Sequence, residues 1–497
     1  MAPRRPGLRR TKPKGAQAQV NASKLMRPRR VLSLTLLLLG IASVFGVVLL
    51  LQKTDLREVA TQAGTNGGFG EREALSESAS SEIRALFVPL LDPTLTSEEK
   101  DRLLRQEQLD LARLLADAFP HVADAQFLLA MAHQEQGDSV GAIQHLEACL
   151  KLQPQHADTH DQLGRIAQET GQHARAVAHF RRAIQQGPRL TGVHYRLGEA
   201  LKSEGMLREA ITELDKNVAI YPQAPDNYAL LGDIYLEQQD YAKARAAYEK
   251  TVALKPDFAR PYYGLATACA RLGLADQSAR HRRTFSDLEA RAREQAKGER
   301  AKFRPMEITR KSVAHTHADI ARVYNAHQRY GAAELLWQRA LLLDPQNVAS
   351  CFELADLYLR NERADESLTL YQRIVAIQQT NGAALFFIGH IHENAKRFDA
   401  AEAAYGRVLE VSPDRPEGYQ ALARFYLEVR PNLPRAKELA SALIELAPSA
   451  SNFHLLASIC EGRNERDSAR VAIRQAVALA PRNVQYRQFY ERIKETP

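Results

Sequence analysis

Small and large apolar residues return to the same places in this chain every 34 residues. Counting positions from Ala157, small residues fall at position 8 (Gly164, Gly198, Gly232, Gly389) and at position 20 (Ala176, Ala210, Ala244, Ala401). Bulkier ones stand at position 7 (Leu163, Leu231) and position 24 (Phe180, Tyr248). Small faces at helical spacing let two antiparallel helices approach closely, while the larger side chains fill the gaps beside them. A proline closes each unit: Pro120, Pro154, Pro188, Pro222 and Pro256 keep the 34-residue step, and Pro345, Pro413 and Pro481 continue it at 68. Gln379 takes one proline slot, and Pro448 comes one residue late, after the lengthened turn 430–435. Proline cannot continue a helix, so it ends the second helix of each pair. A fixed period of this length predicts helix–turn–helix units stacked side by side, because one pair cannot bury its apolar face alone.

These columns resemble the tetratricopeptide-repeat (TPR) family, with His160, Leu163, Gly164, Ala167, Ala176, Phe180 and Ala183 in one unit and Tyr228, Leu231, Gly232, Tyr235, Ala244, Tyr248 and Thr251 in another. The resemblance implies an all-α, right-handed superhelical solenoid. Ten units are expected: 123–156, 157–190, 191–224, 225–258 and 259–292 as a first block (123–292), then 314–347, 348–381, 382–415, 416–450 and 451–483 as a second (314–483). The chain departs from the family at position 4, where the usual tryptophan is replaced throughout. Its one tryptophan, Trp337, occupies position 24. Residues 81–122 are expected to form an atypical N-terminal helical cap with a helix from about Ser97 to Phe119, and 484–497 a C-terminal capping helix carrying Tyr486, Phe489, Tyr490 and Ile493 on one side.

Family ligands lie against first-helix positions 2, 5, 9 and 12. Transferred by position, these select Asp158, Asp161, Arg165, Tyr195, Glu199, Lys202, Asp226, Asp233, Arg260 and Tyr263 in the first block. In the second they select Arg322, Asn325, Phe352, Asp356, Phe386, His390, Glu393, Gln420 and Arg424. Aromatic residues amid mixed charge suit a protein or peptide partner held in the concave groove. The Lys/Asn/Arg clamp of chaperone-tail-binding relatives is absent: Phe127, Met131, Asp161 and Arg165 stand at its places. So is the asparagine ladder of the sugar-transferring relatives, since position 6 reads Gln162, Arg196, Leu230 and Gly264.

Ahead of the repeats, Val31 to Leu51 runs 21 residues without a charge. A helix of that length spans roughly 30 Å, enough for a bilayer core. Residues 1–30 hold ten Lys/Arg and no acid, whereas the far flank mixes Lys53, Asp55, Arg57 and Glu58. The positive-inside rule therefore predicts a basic cytoplasmic tail, a transmembrane helix at 31–51 and repeats on the non-cytoplasmic side, periplasmic if the source is bacterial. A cleaved secretory signal is the rival; its apolar core would be shorter and end at an Ala-x-Ala site, which does not follow here. Residues 52–80, with Gly64, Gly67, Gly68 and Gly70 among polar residues, read as a flexible tether.

The formal charge of +8 belongs to the tail. Without it 57 basic residues face 59 acidic ones, which gives the repeats no nucleic-acid footprint. A second basic stretch, 280–311, carries eleven Lys/Arg against five acids and coincides with the break in spacing. Residues 293–313 are expected to be a charged helical connector, the competing reading being a docking strip for an acidic partner or lipid headgroups.

Cys149, Cys269, Cys351 and Cys460 sit in separate repeats, too far apart to pair in a solenoid, so buried free thiols are expected. His160, His194, His317 and His454 share position 4, a packing column rather than a ligand set. No H-E-x-x-H, phosphate-binding loop, dinucleotide fingerprint or nucleophile motif occurs, and no metal, cofactor or small-molecule substrate is expected. The expected role is a non-enzymatic, membrane-anchored scaffold for protein partners. The alternative is a non-catalytic accessory or substrate-recognition subunit of an envelope enzyme or transferase.

Overall fold

The computed structural model describes residues 79–89, 92, 94–187, 190–300 and 305–495. The basic tail, the 31–51 apolar run and nearly all of the tether lie outside them. Among the described residues every regular element is a helix, and none is long and apolar enough to cross a membrane.

A short helix α1 (79–86) precedes α2 (Ser97–Ala118). Thr96 starts α2 with a capping box: its hydroxyl accepts from Glu99 N (3.2 Å) and the Glu99 carboxylate from Thr96 N (2.8 Å). Five antiparallel pairs follow: α3 (Ala123–Glu135) with α4 (Ser139–Leu152), α5 (Ala157–Glu169) with α6 (His173–Gln186), α7 (Val193–Ser203) with α8 (Leu207–Ile220), α9 (Pro225–Glu237) with α10 (Tyr241–Leu254), and α11 (Ala259–Arg271) with α12 (Ala275–Arg300). The second five are α13 (Pro305–Ala326) with α14 (Tyr330–Leu343), α15 (Val348–Arg360) with α16 (Ala364–Ile377), α17 (Gly382–Asn394) with α18 (Phe398–Val411), α19 (Pro416–Glu428) with α20 (Leu433–Leu446), and α21 (Ala450–Gly462) with α22 (Arg466–Leu479). A last helix, α23 (Val484–Glu495), buries Phe489 and Ile493 against the tenth pair.

The small-and-large columns explain the pairing. Position 24 carries Phe180, Tyr248, Trp337, Tyr371 and Tyr405, all at most 2% exposed; Phe180 faces Gly164, Tyr248 faces Gly232 and Gly264, and Tyr405 faces Gly389. At Gly232 a Cβ would lie 2.6 Å from the Tyr248 ring, and at Gly389 2.6 Å from that of Tyr405, so only hydrogen fits. In the first eight pairs position 15, in the turn, is left-handed whatever its residue: Gly171 and Gly205 adopt it, and so do Gln239, Glu362 and Lys396, with φ of 62, 61 and 58°.

Position 4 also joins neighbours. The Tyr228, Tyr262 and Tyr419 hydroxyls each donate to the carbonyl of the preceding unit's proline (Pro222, Pro256 and Pro413) at 3.1 Å. That carbonyl lies just past a helix end, where no intrahelical donor reaches it. The replacement of tryptophan by tyrosine at this column thus supplies a hydrogen bond between repeats.

The spatial order of the repeats differs from the chain order at one place. Helix α13, opening the second block, packs on α2, and α2 also packs on α3, which opens the first. One helix therefore serves as the preceding neighbour of both stacks. The basic stretch divides between α12, which continues to Arg300, and the extra turns with which α13 begins. The side chains of Lys297, Arg300 and Lys302 lie outside those described.

The joint at α2 is built around a buried carboxylate. Glu107, with no exposed side-chain surface, accepts from Val88 N (2.8 Å), His317 Nε2 (2.9 Å), Arg339 Nε (2.9 Å) and Arg339 Nη2 (2.7 Å). His317 Nδ1 lies 2.7 Å from the Val313 carbonyl, so both ring nitrogens face oxygen atoms. Arg339 also donates to Val88 O (2.9 Å) and lies over the Phe87 ring. Burial alone would raise the Glu107 carboxyl; the His317 and Arg339 hydrogen bonds overcome it and hold the group below its ordinary value. Around this node Arg105 reaches both blocks, donating to Thr309 (3.0 Å) and to the Glu135 carbonyl (3.4 Å).

Candidate functional site

Helical periodicity sets positions 2, 5, 9 and 12 of each first helix on one side. The structure divides the nineteen residues transferred by position into three groups. Asp158, Arg165, Asp226, Arg260, Tyr263 and Arg322 are exposed, and Asp161 is buried. The other twelve, among them Tyr195, Lys202, Phe352, Phe386, His390, Gln420 and Arg424, are half-buried.

Much of this surface is already paired between adjacent first helices. Asp161 on α5 takes a two-pronged bond from Arg196 on α7 (3.0 and 2.8 Å). Burial raises the Asp161 carboxyl against the pull of that guanidinium. Gln168 donates to Glu199 (3.4 Å), which also accepts from Tyr195 (3.2 Å), and Lys202 approaches Glu237 on α9 (3.8 Å). Asp233 accepts from Tyr248 (2.5 Å) and from Arg260 on α11. In the second block Arg322 pairs with Asp319 (2.7 Å) and approaches Glu353 on α15 (4.0 Å). Asp356 pairs with Arg360 (2.6 Å), Glu393 accepts from Tyr405 (2.6 Å), and His390 and Asn394 are hydrogen-bonded at 3.2 Å. Burial raises the Glu353 carboxyl and lowers the His390 imidazole.

The aromatic residues divide in the same way. Tyr263 is 61% exposed and leans on Phe285 at a ring separation of 5.7 Å. Phe352 meets Tyr371 (5.6 Å) and Phe386 meets Tyr405 (6.0 Å), so both belong in part to the core. Tyr195 packs on the first-block core, and burial raises its hydroxyl above the ordinary value. Arg196, Glu237 and Glu353 link one first helix to the next from positions outside those transferred, and Gln168 does so from position 12, although it was not among the residues selected. Their signal was charge or amide complementarity to a residue about one repeat away.

The position-4 histidines have separate partners. His160 and His179 are 3.2 Å apart, His194 meets Glu213 at 2.7 Å, His317 belongs to the Glu107 node, and His454 stacks on Tyr486 at 4.9 Å. No cluster of three or more metal-ligating side chains occurs among the described residues. The four cysteines are buried and unpaired, and burial raises each thiol. Among the described residues the arrangement offers extended surface with fixed charge pairs.

The family-model matches agree with the repeat spacing. Family models described as tetratricopeptide or TPR repeats match residues 124–156, 162–225, 232–273, 324–386 and 382–415. No curated protein matches the chain. Among solved structures, a crystal structure of MamA is 26% identical, covering 33% of this chain and 97% of its own, with a TM-score of 0.33. MamA 41-end from Desulfovibrio magneticus RS-1 is 22% identical over 36% of this chain and 96% of its own, with a TM-score of 0.32. YrrB, a TPR protein with an unusual peptide-binding site, is 16% identical over 37% and 92%, with a TM-score of 0.32. With repeats matched in both blocks and every described element helical, the chain is a tetratricopeptide-repeat protein.

Proposed function

We propose that this protein is a membrane-tethered scaffold that holds protein partners along the concave faces of its two repeat blocks. Tetratricopeptide-repeat proteins bind protein or peptide partners, and the groove residues supply the chemistry for it. The observation that carries the reading is the row Asp158, Arg165, Asp226 and Tyr263, exposed beside a ladder of paired charges that fixes the helices around them. A large exposed aromatic between exposed charges is the composition of an interface anchor. The membrane anchor in this reading is the apolar run 31–51, and the ten basic residues before it favour a cytoplasmic N-terminus with the repeats on the other side.

Two measurements test the two halves of this reading. Alkaline phosphatase fused after Glu58 should be active, and β-galactosidase at the same point inactive; the reverse pattern removes the non-cytoplasmic placement. A photo-crosslinking amino acid at Tyr263 should capture a discrete protein partner in the native membrane, whereas the same group at Val140, 80% exposed on a second helix, should not. Equal capture at both positions removes the concave face as the binding surface.

A further inference from the structure

Positions 4 and 23 face each other across the two helices of a unit, and in the first block this contact is rich in histidine. His145 Nδ1 lies 3.0 Å from Gln126 Oε1 in unit one, and His160 Nδ1 and His179 Nδ1 are 3.2 Å apart in unit two. In unit five the His281 and Tyr262 rings are 6.1 Å apart. Unit three has Glu213 at position 23, bonded to His194 at 2.7 Å, and unit four has Ala247. The first three units of the second block carry Leu336, Leu370 and Ala404 there. Three of the five first-block units therefore join their helices through a histidine at this column.

The surroundings of these rings favour the neutral form. The two facing nitrogens of unit two share one proton, so one ring donates and the other accepts without charge. Burial, then His160, Arg182 and Arg175, push His179 down to about 4. Burial lowers His160 as well; a hydrogen bond to the Pro154 carbonyl opposes it, and Arg182 and His156 add to it. The charged groups of the neighbouring elements are taken or turned outward. Arg196 of α7 is held by Asp161, His194 by Glu213 and His156 by Asp124, while Glu147 and Lys151 of α4 are exposed. Among the described residues no carboxylate pairs with either ring of unit two. Burial also lowers His145, followed by His133 of α3, stacked on it at 5.3 Å, and Arg113 of α2, with Asp138 opposing. His281 is lowered by burial, with Glu249 of α10 opposing and Arg280 and Arg245 adding.

We propose that the first block carries an acid-released latch: proton uptake by the position-23 histidines parts the paired helices of units one, two and five, above all at His160 and His179. Each ring is lowered, so the separated helices take up the proton first and acid drives the opening. With an ordinary value of 6.5 when open and about 4 when closed, His179 alone makes the opening constant at about pH 5.5 about tenfold its neutral-pH value. Asp158, Asp161 and Arg165 stand on α5 with His160, so the opening also disturbs the first-block groove. That consequence alone rests on the concave-face reading.

The test is hydrogen exchange read by mass spectrometry on the full chain in neutral-lipid nanodiscs, at about pH 7.5 and about pH 5.5, with rates corrected for the intrinsic pH dependence of exchange. At the lower pH, peptides from α5 and α6 should lose about tenfold or more of their protection, while α15 and α16, which contain no histidine, change less than about twofold. His160→Gln/His179→Gln keeps hydrogen-bonding side chains and removes both protonation sites, so it should hold the α5 and α6 loss below about threefold. Exchange of that variant at about pH 7.5 checks its fold, and the wild-type comparison decides the matter whether or not the variant folds. Equal loss in both pairs of helices, no loss in α5 and α6, or the full loss in the folded variant would each overturn the latch. The readout needs no partner, so it holds or fails independently of crosslinking at Tyr263.

Discussion

Glu107→Ala should weaken the second block more than any substitution on the concave faces. The carboxylate receives four hydrogen bonds, three of them from the side chains of His317 and Arg339, and it has no solvent to replace them. Truncation leaves an imidazole and a guanidinium buried beside each other without their anion, a situation that costs about 3–5 kcal/mol in other proteins. Simple addition of charge-assisted bonds at about 1.5–3 kcal/mol each would exceed that, because it ignores the desolvation already spent in the wild type. The assay is a urea titration followed by tryptophan fluorescence. Trp337, the chain's one tryptophan, is fully buried two residues before Arg339, so its transition reports this block alone. Removing the cation as well, in Glu107→Ala/Arg339→Met, should cost clearly less than the sum of the single changes, since no unpaired guanidinium then remains. The pH dependence has a fixed sign. The folded Glu107 value is depressed, so its contribution is complete above the ordinary carboxylate value of 4.5 and is lost as pH falls through the folded value. A loss below about 1 kcal/mol, or full additivity in the double variant, would refute the view that this node holds the joint.

Other positions give contrasts of the same kind. Tyr405→Phe removes a hydroxyl bonded to Glu393 and should cost about 1 kcal/mol, whereas Tyr371→Phe removes a buried hydroxyl with no partner and should be neutral or stabilising in the same titration. Gly232→Ala drives a methyl to within 2.6 Å of the Tyr248 ring and should destabilise the first block by about 1–3 kcal/mol, measured by circular dichroism. Burial, then the neighbouring His160, Arg182 and Arg175, push the His179 ring down to about 4 from 6.5. The unfolded chain therefore takes up this proton first, and first-block stability should fall as pH drops from about 6.5 and level off near 4. His179→Gln should flatten that slope in acid unfolding curves; an unchanged slope would assign it to other groups.

The repeat architecture was legible because no column depends on one residue. Position 24 reads Phe180, Tyr248, Trp337, Tyr371 and Tyr405, all buried, and Phe180, Tyr248 and Tyr405 pack against glycines as the spacing requires. The long-range joint was not legible. Glu107 and Arg339 are 232 residues apart, and nothing local in α2 says that it serves two stacks. The capping box at Thr96 marks where that helix starts, but its partners depend on how far the first block curves before α13 returns to it. In the groove, positional transfer found the right helices and could not distinguish exposed side chains from paired ones. Asp161 and Arg165 carry the same positional argument, yet one is buried in an ion pair and the other exposed, because only Asp161 has Arg196 opposite it on the next helix. The apolar run 31–51 stands on its sequence pattern alone.

The most direct test of a concave-face scaffold is mild-detergent affinity purification of the full chain from its native membrane, beside a variant carrying Arg165→Glu and Tyr263→Ala. Both replaced residues are exposed, so the variant keeps the repeat packing, which truncation of Tyr195, Phe352 or Phe386 would disturb. Partners retained by the wild type and lost from the variant are the predicted result. The same partners recovered in equal yield from both would contradict it and move the interface off the groove.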